Sequence, residues 1–220
     1  MKRLIAGILT FVSLVTISAP AFATGVPEQA ENINMASYIA SEEEIEAGHR
    51  AQLLEHLEEL GIDPEECIFP NETNEIRPLS DEDNYKIEYW PTVEREYFGE
   101  PDGIPEGGMQ FPTGGGFWVA LTGGREYSFS ITFDVAIPKF SFPFTLSFGT
   151  VTSGGAAGIY VEAPNTVNYY KCIIGKTVQF RPYTIYIKTW DEVSWSYTWE
   201  EYSNSATKQV IQGRGWAQLA

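Results

Sequence analysis

Residues 127–148 read YSFSITFDVAIPKFSFPFTLSF. Tyr127, Phe129, Ile131, Phe133, Val135 and Ile137 alternate with Ser128, Ser130, Thr132, Asp134 and Ala136. After Pro138 and Lys139 the rhythm returns, with Phe140, Phe142, Phe144, Leu146 and Phe148 set against Ser141, Pro143, Thr145 and Ser147. A period of two puts successive side chains on opposite faces of a strand, so the stretch predicts two paired strands with one apolar and one Ser/Thr face. An antiparallel sheet covered on one side makes the same alternation. Pro143 has no N–H to give to a ladder, which predicts an edge position for its strand.

The same grammar extends outward from this pair. Strand-like runs are expected at 85–90, 117–122, 126–137, 140–151, 157–162, 168–174, 177–181, 183–190, 193–201 and 207–212. Turn signals such as Pro101-Asp102-Gly103, Gly114-Gly115-Gly116, Gly123-Gly124, Gly154-Gly155 and Pro164-Asn165 separate them. Short strands without intervening helices predict a mainly β domain over residues 83–220, an antiparallel β-sandwich.

One acidic amphipathic helix and an irregular arm, residues 41–82, are expected to precede the sandwich. Ser41 can cap the helix with Glu44 reaching back, the acids of Ser41-Glu42-Glu43-Glu44 suit the positive dipole end, and Gly61 stops it before Asp63-Pro64. Ile45, Leu53, Leu54, Leu57 and Leu60 supply its apolar stripe. Residues 62–82 hold three prolines and many acids, which reads as the arm. Residues 24–40 show no periodicity and read as a flexible leader.

Residues 1–23 have the form of a signal peptide. Lys2 and Arg3 are the basic region, residues 4–17 are an apolar run, and Ala21-Phe22-Ala23 is a small-residue cleavage site. The run is shorter than the roughly 20 residues of a spanning helix. Cleavage after Ala23 and secretion are expected.

Charge is uneven. Residues 24–110 carry 23 acidic and 4 basic residues, whereas residues 111–220 carry 7 and 8. Nucleic acid is disfavoured as a partner, since phosphate binding needs clustered Lys and Arg. The two cysteines, Cys67 and Cys172, suggest one disulfide in an exported chain. It would close a loop of about 100 residues, worth up to roughly 4–5 kcal/mol.

Catalytic grammar is sparse. His49 and His56, the two histidines, lie seven residues apart without a metal-binding spacing and read as surface residues of the helix. No nucleophile elbow or phosphate-cradling glycine loop is present. Neither cysteine has a C-x-x-C partner, so no metal or cofactor is expected, and an enzyme is not the expected class. A hydrolase with a removable acidic pro-segment is the least supported alternative.

Aromatic residues carry more information. In SWSYTWEEY, Trp195, Tyr197 and Trp199 alternate on one expected strand, with Trp190 near one end and Glu200 beside them. Rings in a row can stack on sugars and Glu200 can accept hydroxyl hydrogen bonds. This points to a non-enzymatic binding protein whose partner is a cell-surface or cell-wall saccharide or another protein. Rings that fill the core would give the same pattern.

The quoted stretch also resembles, in pattern, the inserting hairpin of aerolysin-like β-pore-forming toxins, which sets Ser/Thr against apolar residues in secreted proteins. The resemblance covers residues 127–148 and implies a pore-forming alternative, with this hairpin as the inserting element. Strands of about 9–11 residues suit a bilayer. Pro143, the Pro-Lys turn and the acidic net charge stand against it.

Overall fold

The structure, a computed structural model, describes residues 36–69, 84–134, 139–153 and 158–220. The expected signal peptide, most of the leader, the arm from residue 70 to 83 and the turn at 135–138 lie outside the described residues. Chain order is β1 (Ala36–Ile39), α1 (Glu42–Glu59), β2 (Cys67–Ile68), β3 (Tyr85–Tyr89), β4 (Val93–Gly99), β5 (Met109–Gln110), β6 (Gly116–Ala120), β7 (Glu126–Phe133), β8 (Phe140–Ser147), β9 (Thr150–Thr152), β10 (Gly158–Glu162), β11 (Tyr169–Asp191) and β12 (Ser196–Leu219).

The expected mainly β architecture with one helix holds. A seven-stranded sheet, β1-β12-β11-β3-β2 with β4 and β5 also on β11, is faced by a three-stranded sheet, β10-β6-β9, and a two-stranded ribbon, β7-β8. All pairs are antiparallel except β2 with β3.

The largest departure from expectation is length. β11 and β12, expected as five short strands, are single strands of 23 and 24 residues forming one long hairpin. Their ladder runs from Tyr170↔Leu219 to Asp191↔Ser196, with register shifts at Thr177/Val178 and Ile185/Tyr186. The shifts bend the strands without ending them. A second difference lies in the expected leader, where Ala36–Ile39 pairs with β12.

Alternation along β11 serves two cores. Gln179, Arg181, Tyr183 and Ile185 face α1, where Leu53, Leu57, Ile62, Cys67 and Ile87 join Tyr183 and Ile185 in a small buried cluster. On the other face, Cys172, Ile174, Val178 and Phe180 meet Phe117, Val119, Ile131, Phe133, Phe144, Leu146, Ile159 and Val161 in the main core. The capping box forms as expected: the Glu44 carboxylate accepts from the Ser41 N–H at 2.9 Å, and Ser41 Oγ accepts from the Glu44 N–H at 3.3 Å. Gly61, at φ 70°, follows the Leu60 cap.

The expected Cys67–Cys172 disulfide is not formed. Both are free, buried thiols in different clusters, separated by the main sheet. The histidines are likewise not surface residues. His49 is buried, with Nδ1 2.6 Å from Thr207 Oγ1 and Nε2 3.2 Å from Gln179 Oε1. His56 is half-buried and bonded to the Tyr183 hydroxyl. A helix face can take a histidine inward when both ring nitrogens find partners.

Candidate functional site

The quoted stretch forms β7 and β8, each eight residues long and paired from Glu126↔Ser147 to Phe133↔Phe140. Among the described residues no other strand joins this ladder, so both strands are edges, as suits Pro143. Ser128, Ser130, Thr132, Ser141, Pro143 and Thr145 are exposed. On the inner face, Ile131, Phe133, Phe144 and Leu146 are buried, and Tyr127, Phe129, Phe140 and Phe142 are partly buried against the main core.

The ribbon is therefore held by side chains. Phe180 on β11 is the central contact, with ring centroids 4.9 Å from Phe144, 6.1 Å from Phe133 and 6.3 Å from Phe142. Tyr97 on β4 lies 4.9 Å from Phe129 and 5.4 Å from Phe144. One polar tie crosses from β12: Lys208 Nζ donates to the Thr145 carbonyl and sits 5.3 Å over the Phe144 ring. Burial lowers the pKa of this lysine, with Glu126 opposing.

The root of the ribbon is built differently from its body. Gly123, Gly124 and Gly149 all have positive φ, at 75°, 83° and 90°. A Cβ on Gly149 would stand 2.1 Å from the Ala120 carbonyl oxygen, and one on Gly124 would stand 2.3 Å from that of Gly149. Only glycine accepts both the dihedral and the approach. Ser147 Oγ donates to the Gly123 carbonyl and accepts from the Gly149 N–H, tying the two sides. Lys176, buried and shifted down to about 8 by desolvation, donates to the Leu121 carbonyl at 2.9 Å. Register passes through this root with an offset. Partner numbers sum to 270 in β6·β9 (Ala120↔Thr150) and to 273 in β7·β8 (Glu126↔Ser147), so the first strand carries three extra residues.

The aromatic residues at 190–202 do not assemble as the sequence suggested. β12 begins at Ser196, so Trp195 lies in the turn, 79% exposed and at φ 54°. Tyr197 pairs with Trp190 across the hairpin, with rings 5.0 Å apart at 72°. Trp199 is half-buried, with Lys86 Nζ 5.6 Å from its ring. Glu200 follows Trp199 in the strand and therefore projects from the opposite face. Trp190, Tyr197 and Trp199 share a face; Trp195 and Glu200 do not join it.

No protein-family model matches the chain, and no curated protein and no solved structure matches it. The geometry stands alone.

Among the described residues, no group of three His, Cys, Asp or Glu could hold a metal ion. A cleft of 610 Å³ between α1 and the main sheet is lined by Glu46, His49, Trp90 and Arg181 among others. Three of its polar groups are already engaged: Arg181 donates twice to Glu46, and His49 is held by Thr207 and Gln179. His49 is neutral there, its pKa lowered to about 4 by burial and then by Arg181. Sequence reasoning missed the glycine root. Its signal was the placement of Gly123-Gly124 and Gly149 immediately outside the alternating stretch.

Proposed function

We propose that the protein is an exported, non-enzymatic protein that acts on target membranes by releasing the β7–β8 ribbon and inserting it as a β-hairpin. The observation that carries this reading is that, among the described residues, the ribbon is laddered to itself alone, hides an apolar face and leaves a Ser/Thr face wet. In a closed barrel the first face would meet lipid and the second would line the lumen. Two strands per copy require association, since about eight strands are the smallest such barrel. The glycine root supplies hinge positions where the ribbon joins β6 and β9.

The test is dye release from liposomes, before and after locking the ribbon. Lys208 Nζ reaches the Thr145 backbone carbonyl while the Thr145 side chain lies on the wet face, so Thr145→Cys with Lys208→Cys puts two thiols close enough to be bridged around the ribbon's edge. The native cysteines are buried and do not compete for a bifunctional, reducible reagent. Wild type is expected to release dye, the crosslinked variant to stop, and reduction to restore release. A wild type that releases nothing across lipid compositions and pH ends the reading.

A second reading is binding alone at a cell surface or wall, to saccharide or protein, with the ribbon fixed as ordinary core. Pro143 favours it, because a barrel gives every strand two neighbours and this residue offers no N–H. Surface binding without dye release is the result that would select it.

A further inference from the structure

The two most exposed large apolar side chains of the described residues, Val193 and Trp195, lie at the end of the β11–β12 hairpin, with exposed Tyr197 and Trp190 beside them. Val193 is 91% exposed, Trp195 79%, Tyr197 63% and Trp190 49%. Among the described residues, pairing with β3 runs to Ile187↔Tyr85, followed by the backbone bond from Lys188 N–H to the Asn84 carbonyl. Among the described residues no further strand pairs with the hairpin from Thr189 to Thr198. The turn is held in shape: Asp191 accepts from the Val193 N–H at 2.9 Å and from Ser194 Oγ at 2.6 Å, and Ser194 Oγ meets Ser196 Oγ at 2.8 Å. Among the described residues Trp195 is the one non-glycine with positive φ. That dihedral is costly for a bulky residue, and here it sends an indole outward instead of into a core.

We propose that this turn, with Trp190, Val193, Trp195 and Tyr197, is an anchor that seats in the headgroup region of a zwitterionic bilayer. The inference rests on the membrane-acting reading and names its first contact. Trp and Tyr favour the bilayer interface, where an apolar ring and a polar N–H or O–H are both accommodated. Lys188, 4.8 Å over the Tyr197 ring, can extend along the ring toward phosphate while its stem stays apolar. Charge decides the lipid class. Asp191, Glu192, Glu200 and Glu201 at this end of the hairpin outnumber Lys188 and Lys86, and Lys86 is paired with Glu88, so an anionic surface is repelled and a neutral one is not. Ring geometry decides against a saccharide, because Trp190 and Tyr197 meet edge to face and offer no continuous flat platform.

The experiment is flotation of the full chain with phosphatidylcholine vesicles, with dye release measured separately. Val193→Ser with Trp195→Ser is expected to weaken vesicle partition at least ten-fold while leaving the melting temperature within a degree or two, since both residues lie in solvent. Independently, Val193→Cys carrying an environment-sensitive fluorophore is expected to shift blue on adding vesicles. Unchanged partition of the double variant, or a fluorophore that reports water throughout, overturns the anchor. Tighter partition to phosphatidylserine vesicles overturns the assigned lipid class, and retention on glycan-coated beads with no flotation replaces lipid by saccharide. Wild type that floats but releases no dye sinks the pore reading and leaves the anchor standing; release by a double variant that floats as well as wild type does the reverse.

Discussion

Phe144 and Phe180 meet with ring centroids 4.9 Å apart across two sheets that share no ladder. The ribbon thus depends on packing where most strands depend on backbone hydrogen bonds as well. Packing of this kind is lost in one step when the faces part, because dispersion and apolar burial both vanish with separation.

Phe180→Ala removes the ring that touches Phe133, Phe142 and Phe144. The expected loss is about 3–5 kcal/mol by urea unfolding, the usual range for a buried aromatic. Limited proteolysis is expected to cut the ribbon earlier than in wild type. A loss below about 1 kcal/mol would mean that Phe180 is not its seat.

Gly149→Ala tests the root. The residue has φ 90° and an added Cβ would approach the Ala120 carbonyl oxygen to 2.1 Å. A loss of at least about 1–3 kcal/mol is expected from the dihedral alone, read as a lowered urea midpoint. The same change at Gly61, where φ is 70° and no atom crowds the Cβ, is expected to cost less.

Stability should fall on mild acidification. His49 is held at about 4 against its usual 6.5, chiefly by burial. Between those values the unfolded chain binds a proton that the folded chain does not, so this contribution is full above pH 6.5 and declines as pH drops toward 4. Arg181 on β11 adds to the shift, and Glu46 on α1 opposes it. Arg181 lowers the Glu46 carboxyl through their hydrogen bond, so that ion pair weakens at still lower pH. His49→Gln is expected to flatten the change in urea midpoint between pH 6.5 and 4.5; an unaltered slope would place the titration elsewhere.

Both thiols should be silent in the folded protein. Burial raises Cys67 to about 11 and Cys172 to about 12. A thiol reagent at pH 8 is expected to modify neither until denaturant is added, and then to count two. A count of zero in denaturant would reveal a disulfide.

The alternation at 127–148 was legible almost to the residue, because one face is covered and the other is wet along its described length. β11 and β12 were not, because Gly175, Pro182 and Gly213 punctuate them and the two register shifts interrupt the period. Pro182 is tolerated opposite Ala206 within the ladder. β4 was missed because Glu94, Arg95 and Glu96 make its centre look like a loop, although that segment pairs with Gln179, Val178 and Thr177. Tyr197 and Trp199 share a face as their spacing predicted, but the alternation carried Trp195 along with them. A turn that ends at Trp195 breaks the period just where the ring count suggested that it continued. His49 gave no warning, since its partners Gln179 and Thr207 lie 130 and 158 residues away.

The long β11–β12 hairpin also sets an order of assembly. Its first pair, Asp191↔Ser196, closes a very short loop, and each later pair adds to an existing end, so chain closure costs little entropy at any step. The β7–β8 pair, closing from Phe133↔Phe140, is local in the same sense. Joining β1 to β12, from Ala36 to Gly215, and α1 to Thr207 bridges most of the chain. By loop-closure entropy, both hairpins close at lower cost than the long-range contacts that seat them. On the membrane-acting reading proposed above, the ribbon would leave its seat with its own ladder intact, without the chain passing through the unfolded state.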